Sequence, residues 1–265
     1  MYKRQDNNYT IKAIDDAEVG MVDLFEGNKY TVVNFSNLKE LIQDGRDVTY
    51  VVTTKIEDMT RMFYNSFVIG DITRWDVSNV KYMDLMFRGS NINQSIGSWD
   101  VSNVTTMSQM FYGSDFNKPL NNWDVSSVKD MTMMFYGTPF NQIISNWDVS
   151  NVTTMVSMFS NTPFNQDISN WDVSNVTSMT AMFRNSNFNK NVKDWDVSNV
   201  TIMASMFSKT PFGQDISNWD VSNLTDMSYM FSDSSFMGDI SNWDVSNVLY
   251  MDGTFNGTAF NGDIS

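Results

Sequence analysis

The 265-residue chain contains neither cysteine nor histidine. Those two absences remove disulfides, thiol nucleophiles, Cys/His zinc sites and every histidine-based catalytic triad. No run of 18 or more apolar residues occurs, so no membrane-spanning helix is expected. The first residues, Met1 to Asp6, lead into polar sequence rather than an apolar signal region. Basic residues are few: 17 Lys and Arg against 31 Asp and Glu leave a net charge of −14. That sign excludes nucleic acid and anionic lipid as partners and leaves divalent cations or basic ligands.

What is present is a repeat. All eight tryptophans, Trp75, Trp99, Trp123, Trp147, Trp171, Trp195, Trp219 and Trp243, stand 24 residues apart, each followed by Asp-Val-Ser. A fixed period of this size is the signature of a stacked array. A degenerate ninth copy precedes them, with Val51 in the tryptophan position and Met59, Met62, Phe63 and Ile72 in register. Counting from each Trp, apolar columns recur at +2 (Val), +5 (Val or Leu), +8 and +11 (Met), +12 (Phe), +17 (mostly Phe) and +21 (Ile, Leu or Val). These columns absorb 17 of the 21 Met and 16 of the 19 Phe, so core is their first reading rather than a Met-rich binding box.

The spacing of +5, +8, +11 and +12 predicts one face of a short helix, with the Ser or Asn before it as N-cap. The two-residue period around each Trp predicts a short strand. The expected fold class is therefore an α/β repeat solenoid, leucine-rich-repeat-like, with a parallel sheet of short strands on one side and short helices on the other. Stacked at about 4.8 Å per unit, nine units would make a rod roughly 40 Å long.

Residues 51–265 form the array, and residues 29–50 read as a β-α-β N-terminal cap. In that cap Asn37 and Glu40 are spaced as a capping box, and Gly45 is the helix stop. Residues 1–28 are a poorly defined segment, and Tyr2-Lys3-Arg4-Gln5 reads like a translated library adapter. The array stops at Asp263-Ile264-Ser265, with one residue missing before the position of the next Trp. A continuing chain, or end-to-end self-association through an uncapped end, is expected there.

The unit Trp-Asp-Val-Ser-Asn-Val-Thr-x-Met-x-x-Met-Phe, followed by Phe-Asn-x-x-Ile-Ser, resembles the bacterial surface-protein repeat of Mycoplasma-type lipoproteins and Gram-positive wall proteins. That repeat family looks related to the BspA-like leucine-rich repeats. The resemblance implies a right-handed solenoid displayed extracellularly or on a cell surface, binding protein or glycan there. It carries no catalytic residues over, and the family's lipoprotein cysteine is missing.

The sharpest candidate site is the Asp column: Asp76, Asp100, Asp124, Asp148, Asp172, Asp196, Asp220 and Asp244. Carboxylates about 4.8 Å apart repel by about 0.9 kcal/mol per neighbour even in bulk water. Something must offset that. A local offset is an Asx-turn to backbone N–H groups two or three residues on; a functional one is a row of Ca²⁺ ions or a basic ligand. The Asp-rich loops with Gly that mark calcium sites are missing. A second, irregular acidic column holds Asp71, Asp167, Asp215, Asp239 and Asp263. Asn103, Asn151, Asn175, Asn199 and Asn223 fit the glycosylation sequon, but their fixed register makes them structural first.

An active site would break the repeat, and this sequence hardly breaks it. No enzyme is expected. The varied positions, such as Tyr82, Asp130, Arg184, Ile202 and Tyr229, are second candidates for partner contacts. A binding or adhesion module comes first, a structural spacer holding another domain off a cell or virion surface second, and ordered-surface (ice or mineral) or Ca²⁺-dependent binding third.

Overall fold

The computed structural model describes residues 2–4 and 10–264; of the suspected adapter run, Gln5 lies outside them. Two small sheets precede the array. β1 (Tyr2–Arg4) pairs antiparallel with β2 (Ile11–Ala13). β3 (Val22–Phe25) and β4 (Asn28–Val32) form a hairpin, and β4 pairs in parallel with β5 (Val51–Val52). The hairpin turns on Glu26 and Gly27, at φ 50° and 80°, the doubly left-handed pair that matches the twist of the flanking strands.

Between β4 and β5 runs α1 (Phe35–Gln43), which buries Leu38 and Ile42. Its N-cap is Asn34, whose side chain accepts from Asn37 N at 3.0 Å, so the helix starts a turn earlier than the capping-box spacing predicts. At the other end Gly45 sits at φ 67°, and Arg46 N reaches back to Leu41 O. This left-handed closure satisfies carbonyls that the helix leaves open.

The expected α/β solenoid is not what the repeats form. Among the described residues α1 is the only α-helix, and it precedes the array. Nor is there a strand at the Trp step. Neighbouring units meet instead at isolated parallel bridges at the +7 residue, Asp58 to Tyr82 to Thr106 and onward to Tyr250.

The reason lies in where the N–H groups point. Met83, Leu85, Phe87 and Gly89 donate not within their own unit but to the carbonyls of Thr106, Ser108, Met110 and Tyr112 in the next. An α-helix would need those donors for its own i−4 carbonyls. Between them run turns closed three residues apart: Met86 N to Met83 O, Arg88 N to Leu85 O, and Ser90 N to Phe87 O. These turns need a left-handed residue at +10 and at +14, seen at Leu85 and Gly89 with φ 54° and 65°. A chain of turns places +5, +8, +11 and +12 on one face as a helix would, and the apolar period is the same for both.

That face is the core. Indoles of neighbouring units stack, Trp75 on Trp99 at 6.5 Å and Trp147 on Trp171 and Trp219 on Trp243 at 6.4 Å between ring centroids. The +12 phenylalanines stack along the array, and from Phe111 to Phe255 each lies on the +17 ring of its own unit, Phe183 on Phe188 at 3.9 Å. Every indole N–H donates to the carbonyl 27 residues earlier, as Trp99 Nε1 does to Ile72 O at 3.2 Å. A buried donor is thereby satisfied in each unit, which an unpaired indole would make costly.

Candidate interaction surface

The Asp column lies on the outer side of the Trp step. Asp100, Asp124, Asp148, Asp172, Asp196, Asp220 and Asp244 are exposed, whereas Asp76 is only 1% exposed. Each carboxylate bonds within its own unit. Asp172 Oδ1 accepts from Ser174 N at 3.0 Å and Ser174 Oγ at 2.6 Å, and the Asx-turn recurs from Asp76 to Asp244.

Donation from the serine holds the carboxyls of Asp124, Asp172, Asp220 and Asp244 below the usual carboxylate range, the hydroxyl contributing most and the backbone N–H next. For Asp220, repulsion from Asp244 pushes the other way and is the smallest influence. The like-charge cost is thus outweighed locally by hydrogen bonds. Asp167, Asp215 and Asp239 in the second acidic column are also held down, by Ser169, Ser217 and Ser241, here with the backbone N–H contributing most and the hydroxyl next. Among the described residues no group of three or more acidic side chains is arranged to hold a metal ion.

The sequon asparagines bridge units. Asn103, Asn151, Asn175, Asn199 and Asn223 donate from Nδ2 to Ser78, Ser126, Ser150, Ser174 and Ser198 carbonyls at 2.7–2.8 Å. Of the varied positions, Tyr82 and Ile202 lie on the bridged strip and Tyr229 three positions beyond it, 47%, 36% and 49% exposed. On the same side Arg88 lies over the ring of Tyr112, 4.2 Å from its centroid, and Tyr112 stacks on Tyr136 at 4.6 Å.

Three features had no clear signal in the sequence. Asp84 is half-buried; burial raises its carboxyl, against donation from Thr106 Oγ1 at 2.6 Å and Ser108 N at 2.9 Å. Lys39 on α1 reaches the Arg61 and Met62 carbonyls, the latter at 2.8 Å. Residues 11–13 cross the start of the Asp column: Ile11 N donates to Arg74 O at 3.1 Å, Lys12 Nζ to Ser78 Oγ at 3.1 Å, and Ala13 N to Thr54 Oγ1 at 3.0 Å.

Units that bond only to their neighbours, with a shared core and repeated outer columns, define a tandem-repeat protein. The family model described as Mycoplasma protein of unknown function, DUF285, matches residues 21–139, 114–211 and 181–265. The chain belongs to that family, which supports the Mycoplasma-type repeat and not a BspA-like or leucine-rich one. No curated protein and no solved structure matches the chain. Among the described residues no helix is long and apolar enough to cross a membrane.

Proposed function

We propose that the chain is a non-catalytic interaction module, displayed extracellularly or at a cell surface, that binds protein or glycan through the outer columns of its stacked units. The observation that carries this reading is the division of labour between columns. The inner Trp, Met and Phe positions repeat almost without change, while the +7 and +10 positions vary from unit to unit and leave Tyr82, Ile202 and Tyr229 exposed. Core uniformity holds the stack, and outer variety distinguishes partners. Localisation at a surface rests on the likeness of the repeat unit to surface-protein repeats.

A spacer is the second reading, favoured by the unbroken stacking of the +12 Phe rings along the array. An array of glycans and extracellular proteins probed with the whole chain tests the module. A saturable partner is expected, and no partner at any concentration would favour the spacer.

A further inference from the structure

The geometry points to the Asp-Ser column as a subsite row for an extended, lysine-bearing peptide segment, a ligand class that rests on the interaction-module reading. The chain already fills the first position of this row with a piece of itself. There Ile11 N meets the Arg74 carbonyl and Lys12 Nζ meets Ser78 Oγ, which in turn donates to Asp76 Oδ1 at 2.7 Å. Main-chain donation and a lysine contact thus come from adjacent residues of one extended strand.

That first position is imperfectly filled. Asp76 is 1% exposed, and its Oδ2 is buried without a hydrogen-bond partner among the described residues. An orphaned carboxylate oxygen calls for a donor, and the ammonium of lysine supplies three.

The same three elements recur, open, along the array. The carbonyls equivalent to that of Arg74, on Asn122, Asn146, Asn170 and Asn218, accept no hydrogen bond from the described residues. Ser126, Ser150, Ser174 and Ser222 stand where Ser78 does. The hydroxyls of Ser126 and Ser174 point their own protons at Oδ1 of the adjacent Asp, which leaves their lone pairs outward, as Ser78 Oγ offers to Lys12. The three recurring elements, carbonyl, serine lone pair and carboxylate, are all acceptors. A ligand matching it must bring donors and positive charge, and an extended backbone with lysine side chains brings both.

The test is titration calorimetry of the full chain with a capped ten-residue peptide of alternating Lys and Ala. Two further ligands run beside it: the same peptide N-methylated at every Ala, and spermine. The column variant carries Asp148→Asn, Asp172→Asn and Asp196→Asn. Asparagine keeps the Oδ1 acceptor of the turn, so the fold is expected to survive, and a thermal melt checks it. The control carries Asp167→Asn, Asp215→Asn and Asp239→Asn, which removes equal charge elsewhere.

The column variant is expected to weaken binding at least about tenfold and the control less than about threefold. N-methylation is expected to weaken it comparably, and spermine to bind more weakly than the peptide. No peptide binding, equal losses in the two variants, or equal affinity for the N-methylated peptide or spermine would each overturn the proposal. If the peptide fails while an array partner binds, the ligand class is wrong and the module stands; if both fail, both readings fall.

Discussion

Ala181 and Ala204 give the turn architecture its sharpest test. They are hydrogen-bonded neighbours in adjacent units, Ala181 N to Ala204 O at 2.8 Å, and both are half-buried. Ala181 occupies the +10 position at φ 52°, whereas Ala204 at +9 is not among the left-handed residues. A left-handed backbone costs an L-residue roughly 1–2 kcal/mol, while glycine there is free of the clash but loses more chain entropy on folding. The balance for Ala181→Gly is a gain of about 0.5–1 kcal/mol. For Ala204→Gly only the entropic loss remains, about 0.5–1 kcal/mol of destabilisation. Each variant removes one methyl from a comparable setting, so packing does not decide the sign. Urea unfolding followed by tryptophan fluorescence reads the midpoints, which should move in opposite directions. If both variants fall together, the +10 residues are not left-handed and the helical reading of this segment regains its footing.

Two further outcomes follow from the same bonds. Lys39→Met is expected to cost about 1.5–3 kcal/mol, the range for hydrogen bonds to a charged group, with hydrogen exchange accelerated in the first unit; unchanged exchange there would remove Lys39 as the cap. For pH, the carboxyls of Asp124 and Asp172 are depressed in the fold. Their stabilisation is therefore complete above the unfolded value of about 3.9 and lost as pH falls through the folded values. Asp84, raised by burial, contributes with the opposite sign, since its protonation relieves the buried charge. A melting midpoint that holds from pH 7 to 5 and drops below about pH 4 is expected, with a shallower drop in Asp172→Asn. A midpoint that rises in acid would mean that relief of the −14 net charge outweighs the Asx-turns.

The stack was legible in the sequence and its backbone was not, for a definite reason. Apolar periodicity reports which side chains share a face, and Val80, Met83, Met86 and Phe87 do share one. It does not report whether N–H groups close on their own turn or on the next unit. The +14 position did carry a local signal, since Gly89, Gly113, Gly137, Asn161 and Asn185 are residues that tolerate φ above zero. The +10 position carried almost none: Arg61, Leu85, Gln109, Met133 and Tyr229 adopt the same region, and glycine stands there only in the last unit, at Gly253. Stacking between units forces those residues into it, so the information sits in contacts 24 residues away. The Asx-turn of the Asp column, by contrast, is local, and the Asp-x-Ser spacing suffices to read it.

That locality bears on what the column can do. A carboxylate whose charge is stabilised by its own serine does not depend on a metal or a partner to keep its place. Its hydrogen bonds run to one oxygen, Oδ1, in every unit from Asp100 to Asp244, leaving the other uncommitted on an exposed residue. Column order and free acceptor capacity therefore arise from the same step. Only at Asp76, where the chain's own strand covers the carboxylate without reaching Oδ2, does the second oxygen lose water and gain nothing. A charged acceptor stripped of water is costly to leave unpaired. At the open positions, which no strand of the chain covers, a ligand lysine would meet carboxylates already aligned and still holding a free acceptor oxygen.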